Sequence, residues 1–177
     1  LLLWRMRCSG LRSARLRRPN RLLEKQGSVA KIDCLSVNVD CSGRGSRNIL
    51  IPMSAVAEII LNQEVTADNK SPAWMFGWVN WRNLHIPLID FAGLQANRQA
   101  KDFADNTRIL VLNSLLEGHK QRYYAIISKG FPSTLRIEED SVLAAQDDVA
   151  LAPCISINIE VEGQFIQLPD FQQIEDH

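Results

Sequence analysis

Three histidines, four cysteines and twenty acids carry most of the catalytic and metal-binding potential of this 177-residue sequence. A zinc site needs close ligand pairs such as C-x-x-C or H-E-x-x-H, because neighbouring ligands must reach one ion together. His85, His119 and His177 lack that spacing, and Cys8, Cys34, Cys41 and Cys154 form no C-x-x-C. No metal or cofactor is expected. Gly43-Arg44-Gly45 has the small residues of a phosphate loop but neither its Lys-Ser/Thr nor a following helix pattern, so a hairpin loop is the simpler reading. There is no G-x-S-x-G, and no spacing gathers Ser, Asp and His into a nucleophilic triad. Asp147-Asp148 and Glu138-Glu139-Asp140 sit among polar residues and read as solvated loop faces, not a general acid/base pair. These residues point away from an enzyme.

The aromatic residues stand out instead. Trp74, Trp78 and Trp81, with Phe76 between them, put three of the four tryptophans within eight residues. Tryptophan is amphipathic and enriched at binding hot spots, so this cluster reads as core packing or as an interaction surface. A pocket wall for a small ligand or an enzyme is a remoter alternative. A base-stacking platform would want interleaved basic residues, and only Arg82 is near.

The elements that carry these residues read as strands. Ile32 to Val39 and Asn48 to Ile51 flank the Gly/Ser-rich Cys41 to Ser46 and predict a first hairpin. Pro52 to Leu61 fits a short helix or turn leading into a strand, with Ser54 as a candidate N-cap. Met75 to Trp81 alternates, with Met75, Gly77, Val79 and Trp81 on one face and Phe76, Trp78 and Asn80 on the other. A turn at Arg82-Asn83 returns the chain as Leu84 to Asp90, and Asn83 tolerates the positive φ of a tight hairpin. Pro87 cannot donate to a ladder, which predicts an edge strand or a bulge. Leu94 to Asn106 reads as a polar connector. Arg108 to Leu112 and Arg122 to Ser128 predict a third hairpin around Glu117 to Lys120, and Ile155 to Val161 with Gln164 to Leu168 a fourth around Glu162-Gly163. Many short strands favour a barrel or sandwich, and no internal sequence repeat is apparent.

Composition fits that picture. At 46% apolar and 23% charged residues the chain is an ordinary globular one, and no apolar run reaches the ~18 residues of a membrane span. The net charge of zero hides an asymmetry: residues 1–31 carry nine Lys or Arg against one acid, and residues 32–177 carry eleven against nineteen. The acidic body has no net attraction to nucleic acid. Residues 1–30 are expected to be a basic extension, disordered or translated upstream of a start at Met6 or Val29; a nucleic-acid or membrane-surface arm and a transit peptide are the alternatives. Sparse cysteines without pairing motifs suit a reducing compartment.

Three motifs give this pattern a family resemblance. Val56-Ala57-Glu58-Ile59-Ile60, then Gly77-Trp78-Val79-Asn80-Trp81-Arg82, then Ile86-Pro87-Leu88-Ile89-Asp90 resemble the V-x-E-I, G-V-x-N-x-R-G and hydrophobic-P-hydrophobic-hydrophobic-D motifs of the CheW-like domain. The similarity runs over about residues 31–175. It implies a mainly β fold of two SH3-like five-stranded β-barrel subdomains sharing a core. It also implies a non-catalytic adaptor, cytoplasmic and recruited to membrane-associated receptor arrays, that couples chemoreceptor cytoplasmic tips to the regulatory domain of a CheA-type histidine kinase. By the same resemblance Glu58 and Arg82 are an ion pair across the first barrel, and Val56, Ala57, Gly77 and Arg82 are receptor- or kinase-contact positions.

The sequence also departs from the family. Asn83 stands where glycine usually follows the arginine, and Ser128-Lys129-Gly130-Phe131 replaces the second-barrel V-D-x-V. The latter change raises the alternative of a CheW-like scaffold without kinase coupling. Trp78-x-x-Trp81-Arg82, Tyr123-Tyr124-Ala125, Gly130-Phe131-Pro132 and Leu168-Pro169-Asp170-Phe171 look closer to the ChpC-like branch, which belongs to chemosensory systems of type IV pili and twitching motility.

Overall fold

Unbroken apolar runs such as Ile109-Leu110-Val111-Leu112 demand strands buried on both faces, whereas the alternating Ile155 to Val161 demands burial on one. Both kinds occur in the computed structural model, which describes residues 31–39, 48–61, 64–67, 70–96, 107–116, 121–138, 143–144, 151–161 and 163–177. The strands are β1 (Lys31–Asn38), β2 (Asn48–Pro52), β3 (Val56–Ile60), β4 (Val65–Thr66), β5 (Met75–Trp81), β6 (Leu84–Ile89), β7 (Thr107–Asn113), β8 (Tyr123–Lys129), β9 (Ser133–Glu138), β10 (Leu143–Ala144), β11 (Ile155–Val161) and β12 (Gln164–Pro169). Two short helices, α1 (Phe91–Ala96) and α2 (Phe171–Glu175), follow β6 and β12. Sheet one has the order β3-β7-β8-β6-β5-β4 and sheet two the order β9-β1-β2-β12-β11-β10.

Side-chain alternation distributes the apolar residues over three cores. Ile109 and Val111 of β7, with Ala125 and Ile127 of β8, fill the core of sheet one beside Val79, Trp81, Ile86 and Leu88. Cys34, Leu50, Ile159, Val161, Ile166 and Leu168 fill that of sheet two. The opposite faces of the central strands meet between the sheets, where Leu35, Val37, Ile49 and Ile51 pack with Leu110, Leu112, Tyr124 and Ile126, closed over by Phe91, Leu94, Phe171 and Ile174. Each fully buried aliphatic side chain contributes about 1.5–3 kcal/mol, so the two subdomains are held together as firmly as each is held internally. The fold is mainly β, with two SH3-like subdomains. Each sheet has six strands among the described residues because the two-residue β4 and β10 add to five longer ones, and neither ladder closes into a full barrel.

The two sheets are built alike. Reading each from its β3 or β9 edge, neighbours are antiparallel, antiparallel, parallel, antiparallel and antiparallel in both. The pairs Val79↔Ile86 and Ile159↔Ile166 lie 80 positions apart, as do the bulges at Met75/Gly77 and Ile155/Ile157. The backbone closures repeat too, Asp90 N donating to Trp74 O at 3.0 Å and Asp170 N to Cys154 O at 2.8 Å. The chain is therefore a structural duplication in which the first hairpin of each half is exchanged: β1–β2 joins the β9–β12 sheet, and β7–β8 joins the β3–β6 sheet.

The four predicted hairpins are present with the expected partners. Four local expectations are revised. The absence of a repeat at sequence level does not carry to structure, because only scattered positions such as Asp90-Phe91 and Asp170-Phe171 coincide. Pro87 lies on an interior strand, not an edge, although the other expected feature, a bulge, is present in the β5–β6 ladder between Met75 and Gly77; the parallel ladder from β6 to β8 begins only at Leu88, so at Pro87 the strand is paired with β5 alone. Leu94 belongs to α1 and the shared core, not to a connector. Ser54 sits inside a one-turn 3-10 helix, Met53–Ala55, whose N-cap is Pro52 with no side-chain cap. The basic extension, the Cys41–Ser46 and Glu117–Lys120 turns, the Gly43-Arg44-Gly45 loop, Asp147-Asp148 and residues 97–106 of the expected connector lie outside the described residues.

Candidate functional site

The tip of the β5–β6 hairpin is where sequence and backbone geometry are most unusual. Pairing of Trp81 with Leu84 leaves Arg82 and Asn83 as a two-residue loop, with φ of 47° and 63°. Two consecutive positive φ values define a type I′ turn, whose twist matches that of the strands. Asparagine takes this conformation readily, but for arginine it costs about 1 kcal/mol or more, so side-chain contacts must compensate.

Those contacts come from β3 and from Trp81. A bulge between Val56 and Glu58 re-aims Glu58, which pairs with Val111 at the rim of the sheet-one core. Glu58 Oε2 accepts the indole N–H of Trp81 at 2.8 Å and lies 2.9 Å from Arg82 Nη2. The guanidinium carbon stands 4.8 Å from the centre of the Trp81 ring, and Tyr123 meets that ring edge-on at 4.9 Å. One carboxylate oxygen thus receives two donors, one of them charged. The Arg82 side chain remains 67% exposed and that of Glu58 38%. At such exposure the ion pair itself is worth under about 1 kcal/mol. It orients more than it stabilises.

The other predicted positions have different fates. Val56 and Ala57 are half-buried, Val56 against the shared core and Ala57 against the sheet-one core. Gly77 is buried with φ 138°, and a Cβ there would come 2.3 Å from Thr66 O, so it admits β4 close to β5 and offers no surface. The three tryptophans do not gather into one cluster. Trp81 is 6% exposed in the sheet-one core, Trp78 stacks on His85 from the opposite face of β5 at 5.1 Å, and Trp74 packs on the shared core with His177 edge-on at 6.1 Å. Alternation along β5 separates Trp78 from Trp81, and Trp74 precedes the strand. The Trp81–Glu58 link was not foreseen from sequence; the signal was a tryptophan immediately before the motif arginine.

The remaining chemistry is structural. Burial, with Asp33 adding, pushes the Cys34 thiol up to about 11, and burial also raises that of Cys154, so neither is a thiolate nucleophile at neutral pH. Among the described residues no three His, Cys, Asp or Glu side chains converge on a metal position. Glu175 accepts from Ser114 Oγ at 2.8 Å, Leu115 N at 2.8 Å and Leu116 N at 3.0 Å, tying α2 to the strand-end loop of β7. Beside it, burial and the Glu175 carboxylate raise the Tyr124 phenol. A Cβ at Gly93 would lie 2.8 Å from Oδ2 of the buried Asp90, so that glycine makes room for the carboxyl group. Phe131 projects 70% exposed from a turn in which Ser128 Oγ donates to Gly130 O at 3.1 Å, and Arg108 covers one face of its ring at 4.4 Å.

The CheW-like domain family matches residues 42–177 of the chain. The fold is similar to that of the scaffolding protein TtCheW from Thermoanaerobacter tengcongensis, with a TM-score of 0.58 at 17% identity, over 80% of this chain and 89% of that one. No curated protein sequence matches.

Proposed function

Because the chain belongs to the CheW-like domain family, we propose that it is a non-catalytic adaptor, coupling chemoreceptor cytoplasmic tips to the regulatory domain of a CheA-type histidine kinase. The observation that carries this reading is the Glu58–Trp81–Arg82 unit: the acid and arginine matching two family motifs meet at one rigid hairpin tip, with the guanidinium facing outward. Val56 and Ala57 flank it on β3 as the further contact positions, with Gly77 shaping the sheet beneath. A surface of this kind works by binding energy alone. An interface of about 1,200 Å² or less would bind weakly, and multivalent assembly in a receptor array would supply avidity. No described helix is long and apolar enough to cross a membrane, which suits recruitment to an array through partners in the cytoplasm. The ChpC-like features further suggest an output in type IV pilus motility.

Calorimetric titration of the full chain with the kinase regulatory domain and, separately, with a receptor-tip fragment tests the reading. Saturable binding that a folded Arg82→Ala chain loses supports it, and absence of binding to both probes removes it. Loss of twitching on deletion, restored by the wild-type chain, tests the pilus assignment.

One observation favours a second reading, a CheW-like scaffold without kinase coupling. The second-barrel motif is replaced by a turn that exposes Phe131 over Arg108. Binding to the receptor tip with none to the kinase domain would select it.

A further inference from the structure

We infer that Trp81 is the positioning residue of this site: it fixes the Arg82 guanidinium in place, although it does not itself face a partner. The inference rests on the adaptor reading only for what Arg82 then contacts. Arginine at a hairpin tip ordinarily samples many rotamers, which an interface would have to freeze on binding. Here one side chain restrains both members of the ion pair. The Trp81 indole N–H holds Glu58 Oε2, the same oxygen that meets Arg82 Nη2, and the indole face lies under the guanidinium. Trp81 can do this because it is itself immobile, 6% exposed within the sheet-one core and braced by Tyr123. The guanidinium meets an aromatic face on one side and a fixed carboxylate at one nitrogen, which leaves its outer edge presented in one direction. Without the indole N–H, Glu58 turns freely on a half-exposed side chain and Arg82 follows it.

Trp81→Phe keeps an aromatic ring and removes the N–H, so it separates positioning from packing. In the free full-length chain, the Arg82 side-chain N–H resonance in a 1H–15N spectrum should be sharp and slowly exchanging in wild type and broadened in Trp81→Phe, and the Trp81 indole resonance should move on Glu58→Gln. An indole signal indifferent to Glu58→Gln, or an Arg82 signal unchanged by Trp81→Phe, overturns the inference whether or not any partner binds. In calorimetric titration with the kinase regulatory domain and with the receptor-tip fragment, Trp81→Phe should weaken binding by roughly tenfold or more, as expected for one lost hydrogen bond to a charged group. The same change in a Glu58→Ala background, which already lacks the acceptor of the indole N–H, should have no further effect. Equal losses in both backgrounds would make Trp81 a packing residue only. Should wild type bind neither probe, the adaptor reading falls and the spectra alone decide the role of Trp81.

Discussion

The β5–β6 and β11–β12 hairpins share a register, a bulge and a short following helix 80 positions apart, yet their tips are built by different means. In the first, Arg82 and Asn83 accept positive φ and side chains from two strands lock the arginine. In the second, Gly163 with φ 75° supplies the turn, and a Cβ there would touch nothing. Val161 stands where the first hairpin has Trp81. What the duplicates share is what packing requires: apolar residues on the inner face, an aspartate ahead of each helix, and Phe91 or Phe171 inserted in the shared core. Where they diverge, packing no longer dictates the residue, and that is where a binding surface has room to evolve.

The sharpest break in the comparison is at Gly77, whose counterpart Ile157 carries a full side chain. Gly77→Ala drives a methyl into the Thr66 carbonyl and should cost about 4 kcal/mol or more in urea unfolding. Gly163→Ala should cost only about 1 kcal/mol, the price of left-handed backbone alone. Near-equal losses would show that β4 yields easily. Next come the helix ends. Glu175→Ala strands two backbone N–H groups and a hydroxyl and should cost about 2–3 kcal/mol. Its counterpart Gln95 is 6% exposed and reaches Gln167 across the shared core at 3.4 Å, without the three-donor cluster that Glu175 gathers.

The cores differ in titration. By strand order and register, Cys34 of sheet two occupies the place of Ile109 in sheet one. Its thiol, pushed up to about 11 from 9.0, favours the protonated form when folded. Its contribution is complete below pH 9 and fades as pH rises towards 11, reaching a loss of roughly 1 kcal/mol by pH 10. Cys34→Val should flatten that part of the stability profile, as measured by denaturant unfolding at each pH. The smallest effect belongs to the ion pair itself. A double-mutant cycle on Glu58 and Arg82 should give a stability coupling under about 1 kcal/mol while binding changes more, because the pair is half-exposed.

Alternation made the hairpins legible, since Met75 to Trp81 and Ile155 to Val161 each carry a clear inner face. β9 escaped for the converse reason. Its Ser133-Thr134-Leu135-Arg136-Ile137-Glu138 lies at a sheet edge with no fully buried residue, and Leu135 and Ile137 alone are too short an apolar stripe to read. The five-residue α2 is too short for helical periodicity, and only Asp170, accepting from Gln173 N, marks its start. The duplication stayed hidden because its halves share pattern, not residues, and because exchange of the first hairpins pairs segments far apart in sequence. Glu58 and Arg82 were reached through a family resemblance. Periodicity alone can say which face Trp81 occupies, but not where its indole N–H ends.

That exchange of hairpins sets the order in which the molecule can be made. Asp33 and Arg136, which bond across β1 and β9, are 103 positions apart, so β1–β2 must emerge long before the strands that will flank it. At synthesis rates of about 5–20 residues per second, the first hairpin waits on the order of 5–20 s with both edges open. Neither half can finish its own sheet from its own residues. Folding therefore becomes a late, whole-chain event with many long-range contacts, slower than for a tandem of independent barrels and without a stable half-folded product.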